Sequence, residues 1–373
     1  MGRLPRLALD AGDRAPALHV RLACVLLSSV LASVLLPVPR DAVAGIYSLP
    51  EAGNSVVGET ARIEASSKET LLDVARRYGL GYEDIVRANS DVDPWLPEHG
   101  ADVVLATQFI LPDSARRGLV LNLAEFRLYF YPAPVAGGDP VVMTFPMSIG
   151  RMDWETPLGL TRITQKTKNP SWYPPQSVRQ EHAADGDPLP AVVPPGPQNP
   201  LGSYALRLSL PGYLIHGTNK AAGVGMRVTH GCLRLFPEDI ETLFGQVAVG
   251  TEVRIVNQPV KAGWLGEELL LEVHPMLESA AANEDSGPGA DGESDSGPEI
   301  GSESLATTGN SLTNLTRAIV AATKIRRADV DWTLAEEVYN RAQGVPVVIG
   351  RLIADDDALV TKKNAATGAA FKM

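Results

Sequence analysis

Between residues 118 and 257 the chain alternates short apolar runs with turns that contain glycine or proline. The run LVLNLAEFRLYFY divides into two halves around Ala124-Glu125, which is the pattern of a β-hairpin. In this region only PEDIETLFGQV is a clear helix, and Pro237 suits its first turn. Many short strands with one clear helix predict a mainly β sandwich or barrel.

A proline-rich stretch interrupts these strands. The segment DPLPAVVPPGPQNP, from Asp187 to Pro200, contains six prolines. Proline removes a backbone donor and fixes φ, so this segment is neither a helix nor a central strand. It predicts an extended, stiff loop that either borders a functional groove or is a plain surface connection.

A smaller unit is predicted over residues 60–113. The segment SSKETLLDVARRYGLG has a helical apolar face with Ser66 or Ser67 as its cap, YEDIVRANSDV gives a second helix, and ADVVLATQFILP a strand. Helix, helix and strand in this order resemble a LysM module, which binds glycan chains of the cell wall; a purely structural domain is the alternative. The matching features are Glu69-Thr70-Leu71, Ala75, Tyr78, Asn89, Gly100 and Leu111-Pro112.

The first 44 residues have the pattern of an export signal. Arginines precede the apolar run LACVLLSSVLASVLLPVP, and Ala42-Val43-Ala44 is a small-residue cleavage site. Retention of the run as a membrane anchor is the alternative. Cleavage would remove Cys24 and leave Cys232 as the one cysteine of the exported chain, which excludes an intramolecular disulfide framework.

The formal net charge of −11 is unevenly distributed. Eight acidic residues and no Lys or Arg lie between Met276 and Thr316. Residues 279–304 are rich in Gly, Ser, Asp and Glu, which predicts a disordered linker before a small C-terminal element at 305–373. The remaining chain is only mildly acidic, so no nucleic-acid partner is expected.

Cys232 lies in the segment YLIHGTNKAAGVGMRVTHGCLRL, which also contains His216 and His230. An imidazole that takes the thiol proton lowers the thiol pKa and supplies a general base. Gly231 leaves nearby backbone N–H groups open for an oxyanion, and Arg234 offers a fork for a carboxylate. This spacing favours cysteine acyl transfer. A zinc site formed by both histidines and the cysteine, or a set of structural core residues, remains an alternative.

The same segment closely resembles the signature of the L,D-transpeptidase (YkuD) family, HGT followed by [ST]-x-G-C-[IVL]-R. The segments IGR…ETPLG, KNPSW, LPAVVPPGPQNPLG and VGTEVRIVNQPVK are similar to the periplasmic branch that attaches murein lipoprotein to peptidoglycan. The resemblance implies a YkuD-type β-sandwich over residues 117–258, with a small α/β LysM-like module before it.

The resemblance also implies roles for individual residues. Cys232 would be the nucleophile, His216 the proton donor and acceptor, and His230 with Gly231 the oxyanion site. The residues expected to bind the stem peptide are Gly217, Thr218, Thr229 and Arg234. No metal and no cofactor are expected.

The implied reaction begins with attack of the thiolate on the bond between diaminopimelate and the terminal D-Ala of a tetrapeptide stem. D-Ala leaves, and an amine of a lipoprotein lysine or of another stem then takes the acyl group. With water as acceptor the enzyme would be an L,D-carboxypeptidase. A non-catalytic wall-binding protein is the alternative from another class. The implied location is the periplasm.

Overall fold

The computed structural model describes residues 45–134, 137–151, 154, 156–277 and 312–353. The predicted export signal and acidic linker lie outside these residues. The strands are β1 (Gly45–Ser48), β2 (Val56–Gly58), β3 (Ala61–Glu64), β4 (Asp102–Leu105), β5 (Gln108–Ile110), β6 (Gly118–Asn122), β7 (Arg127–Tyr131), β8 (Val141–Pro146), β9 (Ile149–Gly150), β10 (Gly159–Lys168), β11 (Tyr204–Leu208), β12 (Leu214–His216), β13 (Arg227–Thr229), β14 (Leu233–Arg234), β15 (Glu252–Val256), β16 (Val260–Leu265), β17 (Glu268–Val273), β18 (Ala328–Val330) and β19 (Val347–Leu352). The helices are α1 (Leu71–Arg77), α2 (Tyr82–Ala88), α3 (Gln176–Ala184), α4 (Pro237–Gln246), α5 (Leu312–Thr323) and α6 (Trp332–Arg341). Within the described ranges, no helix combines the length and the apolar character needed to cross a bilayer.

A nine-stranded sheet organises the central part of the molecule, which confirms the mainly β fold. Its strand order is β1-β8-β7-β6-β15-β10-β11-β12-β14. The predicted hairpin is formed by β6 and β7, which pair antiparallel from Gly118↔Tyr131 to Asn122↔Arg127. The sheet and α4 enclose one apolar core, in which Leu128, Phe145 and Ile240 are completely buried. Helix α4 starts at Pro237, as predicted.

The N-terminal module, defined here as residues 56–110, is inserted between β1 and β6. Strand β2 pairs with β5 and β3 pairs with β4, so the segment expected to form one strand forms two. Helix α1 is capped by Thr70 rather than by Ser66 or Ser67. The Thr70 hydroxyl accepts from the Asp73 N–H while the Asp73 carboxylate accepts from the Thr70 N–H. This reciprocal pair is a capping box, which fixes the first turn of α1.

A second, four-stranded sheet has the order β16-β17-β19-β18. It joins the β16–β17 hairpin, directly after β15, to strands of the C-terminal segment. Leu315 of α5 and Tyr339 of α6 pack on this sheet in the same apolar cluster as Trp264 of β16. The C-terminal element therefore shares its core with residues 260–273, which immediately follow the predicted catalytic region. The end of the catalytic domain at residue 258 and the start of the C-terminal element at residue 305 stay predictions.

Candidate active site

Two short strands place the motif residues. Strands β12 and β14 pair in parallel, with Ile215 opposite Leu233 and His216 opposite Arg234. Ile215 and Leu233 point into the apolar core. Because side chains alternate along a strand, His216 and Arg234 project from the opposite face. Cys232 directly precedes β14, and by the same alternation it lies on the face that carries His216 and Arg234.

The imidazole of His216 is buried and oriented by the backbone. Its Nδ1 lies 2.6 Å from the Gly217 carbonyl oxygen, so Nδ1–H donates and Nε2 is left as the acceptor. Burial and the charge of Arg234 lower the pKa of His216 to about 3, against the hydrogen bonds to the carbonyls of Gly217 and Leu201. The ring is therefore neutral at physiological pH.

The Cys232 thiol is half-buried, and its Sγ lies 3.6 Å from the Gly212 carbonyl oxygen. Burial raises the thiol pKa, and this effect exceeds the opposing effects of the Leu214 N–H and the Arg234 charge. The expectation of a thiol pKa lowered by a neighbouring imidazole is therefore wrong for the resting protein. The site holds a neutral thiol and a neutral imidazole, so the proton must move as the thiol attacks.

This raised pKa predicts slow thiol chemistry near neutral pH. In a chain carrying Cys24→Ala, we expect iodoacetamide to alkylate Cys232 more slowly at pH 7.5 than it alkylates N-acetylcysteine. The thiolate is the reactive form, and a raised pKa lowers its fraction at every pH below that pKa. The alkylation rate should still be rising at pH 9, as followed by mass spectrometry. A plateau reached below pH 7 would instead reveal a preformed thiolate–imidazolium pair.

The turn that carries Cys232 is fixed by its backbone. Gly231 has φ +91°, a left-handed conformation that favours glycine. A Cβ there would lie 3.2 Å from the Tyr213 ring. The Thr229 hydroxyl donates to the Cys232 carbonyl at 2.5 Å, and the Thr156 hydroxyl donates to the Gly231 carbonyl at 3.2 Å. This turn conformation is compatible with the predicted oxyanion role of Gly231, which stays a prediction.

The other residues expected to bind substrate surround the same turn. The Thr218 hydroxyl accepts from the Lys220 N–H at 2.9 Å, and the Gly217 N–H donates to the Tyr204 carbonyl at 3.1 Å. These two residues therefore shape the loop through local contacts. The Nε of Arg234 is buried without a hydrogen-bond partner among the described residues. Of the predicted binding residues, Arg234 thus has one side-chain donor that no described residue satisfies.

His230 contacts two charged residues that the sequence interpretation missed. Its Nε2 lies 2.8 Å from Glu181 Oε2, on α3, and 3.3 Å from Nη2 of Arg151. Arg151 also donates to Glu181 Oε1 at 2.7 Å. The Arg151 and His230 hydrogen bonds lower the pKa of Glu181. Helix α3 is thereby linked to the residue two positions before the nucleophile.

The proline-rich loop reaches the site at its C-terminal end. The Asn199 amide donates to the Pro170 carbonyl at 2.8 Å and accepts from the Leu201 N–H at 2.9 Å, which holds the end of the loop against the preceding segment. The backbone of Leu201, directly after the loop, acts on His216 by raising its pKa. The Asn219 amide contacts the Pro197 carbonyl at 3.3 Å. The loop therefore contacts the segment between His216 and Cys232, as expected for a loop that borders the groove.

The structure offers no support for the zinc alternative. In the part of the chain that is described, the one group of His, Cys, Asp and Glu side chains with metal-like spacing is Glu125, Glu272 and His274. That group already holds a cation, because Lys261 Nζ lies 2.5 Å from Glu125 and 2.9 Å from Glu272. His216, His230 and Cys232 do not form such a group among the described residues.

Comparisons with known proteins agree with this geometry. Residues 116–255 match the YkuD family, described as the L,D-transpeptidase catalytic domain. The chain is 41% identical over 252 residues to "Probable L,D-transpeptidase YcfS" of Escherichia coli K12, covering 66% of this chain and 77% of that protein. It is 38% identical over 307 residues to "Probable L,D-transpeptidase ErfK/SrfK" of Salmonella typhimurium LT2, covering 81% and 90%. Against "Probable L,D-transpeptidase YbiS" of Escherichia coli K12 the identity is 36% over 305 residues, again covering 81% and 90%.

Proposed function

Because the chain belongs to the YkuD family of L,D-transpeptidases, we propose that it is a peptidoglycan L,D-transpeptidase with Cys232 as its nucleophile. The observation that supports this assignment is the β12–β14 pairing, which sets His216 opposite Arg234 and leaves Cys232, two residues before Arg234, on the same face. In our proposal His216 Nε2 takes the thiol proton, since Nδ1 is already used by the Gly217 carbonyl.

The first half-reaction is acylation of the thiol. Sγ attacks the carbonyl carbon between diaminopimelate and the terminal D-Ala of a tetrapeptide stem, while the thiol proton passes to His216. The tetrahedral oxyanion is stabilised by the backbone N–H groups around Gly231. When the C–N bond breaks, His216 returns the proton to the leaving amine, and D-Ala departs from a thioester on Cys232.

The second half-reaction resolves the thioester. An amine attacks the thioester carbonyl, a new amide forms, and the proton removed from the amine returns to the thiol through His216. The amine belongs to a lipoprotein lysine or to the side chain of another stem. Water in place of the amine would make the enzyme an L,D-carboxypeptidase. In our proposal the guanidinium of Arg234 binds a carboxylate of the donor stem.

The remaining parts of the proposal concern the setting of the reaction. The substrate is peptidoglycan, and we place the enzyme in the periplasm because of the predicted export signal at residues 1–44. We further propose that the N-terminal module is LysM-like and binds glycan strands. Its loop presents Trp95, which is 59% exposed, as a surface on which a sugar could stack.

The reaction can be tested with a purified disaccharide tetrapeptide. We expect release of D-Ala and, by mass spectrometry of the intact protein, a mass increase on Cys232 equal to the disaccharide tripeptide acyl group. Adding an amine acceptor, such as a peptide with a C-terminal lysine, should convert this adduct into an amide product.

Product analysis separates the alternatives. Amide formation that competes with hydrolysis identifies a transpeptidase, whereas tripeptide as the sole product with every amine offered identifies a carboxypeptidase. A chain that releases no D-Ala and forms no adduct would contradict the proposed function.

A further inference from the structure

The loop that joins His216 to Cys232, residues 217–231, is held on one side by Ser148 and β9, which follow β8 in the chain. The Ser148 hydroxyl donates to the Gly223 carbonyl at 2.7 Å, and the Ile149 N–H donates to the Met226 carbonyl at 3.2 Å. Strand β13, inside this loop, pairs with β9. These contacts leave the carbonyls of Val224 and Gly225 to be satisfied from elsewhere.

The N-terminal module supplies the missing donors. The N–H of Tyr82, at the start of α2, donates to the Val224 carbonyl at 3.0 Å, and the N–H of Glu83 donates to the Gly225 carbonyl at 3.3 Å. The first N–H groups of a helix have no acceptor within the helix. The active-site loop therefore provides the acceptors for the first turn of α2.

This contact is close because a glycine lies on each side. A Cβ on Gly225 would lie 2.5 Å from both Gly81 Cα and the Tyr82 nitrogen, and Gly225 has φ +85°. A Cβ on Gly81 would lie 2.8 Å from Gly225 Cα. Side chains at either position would separate the two backbones and break the hydrogen bonds between them.

The start of α2 is itself anchored to the central sheet. Asp84 accepts from the Gly81 N–H at 2.9 Å and from Nη2 of Arg127 at 2.6 Å. Arg127 lies on β7 and is almost completely buried. The preceding helix, α1, is tied to α4 by the two-pronged ion pair of Arg76 with Glu238, whose shorter distance is 2.7 Å. Helix α2 is thus a fixed support from which the loop is held.

We propose that the start of α2 is a positioning element for catalysis, in which Gly81 and the Tyr82 N–H hold the Val224–Gly225 segment so that the loop keeps Cys232 and His216 in register. The module then contributes to turnover as well as to any binding of the wall. This inference rests on the proposed transpeptidase function. It assigns to the module a role that a detachable glycan-binding domain would not have.

The sharpest test uses the Tyr82 backbone N–H. Proline is well accommodated at the first position of a helix, and Gly81 has φ −89° and ψ 173°, which suits a residue before proline. Tyr82→Pro therefore removes the donor to Val224 while keeping the helix. Tyr82→Ala removes the same ring and keeps the donor, so it is the matched control.

We expect Tyr82→Pro to lower kcat for D-Ala release from the soluble disaccharide tetrapeptide by about 10- to 100-fold, because small displacements of reacting groups have effects of this size. KM should stay within about twofold in Tyr82→Pro, and Tyr82→Ala should retain kcat. Gly81→Ala, whose backbone conformation is open to alanine, should behave like Tyr82→Pro. Gly245→Ala adds a methyl group into open space on α4 and should leave kcat unchanged.

Each outcome is informative. A loss of kcat confined to Tyr82→Pro and Gly81→Ala, with thermal unfolding showing a folded protein, supports the positioning role. Wild-type kcat in a folded Tyr82→Pro chain overturns it, as does a rise in KM alone, which would indicate a role in substrate binding. Inactivity of the wild-type chain would instead contradict the proposed transpeptidase function, so the failure of that function can be told apart from the failure of the positioning role.

Discussion

Replacing Cys232 by alanine is expected to reduce D-Ala release by at least about 10⁴-fold, to the background given by substrate binding alone. The thiol forms the covalent bond of the first half-reaction, and no other cysteine is present among the described residues to replace it. Release of D-Ala from the disaccharide tetrapeptide, followed by chromatography, measures the effect. The intact-protein mass should show no adduct.

The role of the partner histidine is tested by His216→Gln. Glutamine keeps a polar side chain at this buried position but cannot take the thiol proton, so we expect a loss of about 10²- to 10⁴-fold. His99→Gln, at an exposed position in the N-terminal module, is the matched control and should retain full activity.

For the nucleophile, D-Ala release at the wild-type rate by a folded Cys232→Ala chain would show that Cys232 is assigned wrongly.

Replacing Lys261 by methionine is expected to lower the free energy of unfolding by about 3–5 kcal/mol, since it leaves two buried carboxylates without their cation. Lys261 Nζ contacts Glu125 at 2.5 Å, Glu272 at 2.9 Å and the Ile110 carbonyl at 2.6 Å. The Ile110 N–H in turn donates to Glu272 at 2.6 Å. These residues come from the central sheet region, the C-terminal hairpin and the N-terminal module.

Urea denaturation at pH 7 measures this loss, and Lys68→Met, on the exposed surface of the N-terminal module, is the control. The pH dependence gives a second check. The Lys261 ammonium and His274 hold the pKa of Glu272 at about 2, below its ordinary value of 4.5. This carboxylate therefore stabilises the fold above about pH 4.5, and its contribution is lost as pH falls toward 2. An unfolding midpoint unchanged by Lys261→Met would contradict the proposed importance of the ion cluster.

The sequence predicted the parts of the site that are close together in the chain. His216 and Arg234 lie in one short segment of the chain, so they come together through the pairing of neighbouring strands. The β6–β7 hairpin and α4 are equally local, and their apolar spacing or proline position identified them. Thr70 could also have been found, because Thr-x-x-Asp before an apolar helix is a capping signal related to the usual box.

Helix α3 and its Glu181 were not predictable in the same way. The helix has the polar sequence QSVRQEHAA with Val178 as its one buried residue, so it carries no apolar stripe. Glu181 meets His230 across 49 positions of the chain, and nothing in the spacing indicates that contact. The ion cluster around Lys261 was missed for a similar reason, because isolated charges in strands normally point to solvent.

Strand β1, at residues Gly45–Ser48, completes the edge of the central sheet although it precedes the N-terminal module in the chain. It pairs with β8 from Gly45↔Thr144 to Ser48↔Val141. The N-terminal module is therefore an insertion between two strands, β1 and β6, of the same sheet. A truncated chain starting near residue 117 would lose this border strand and leave the backbone N–H and C=O groups along that edge of β8 unpaired. Such an edge invites intermolecular strand addition and precipitation. Shortened versions intended for crystallisation should therefore retain Gly45–Ser48.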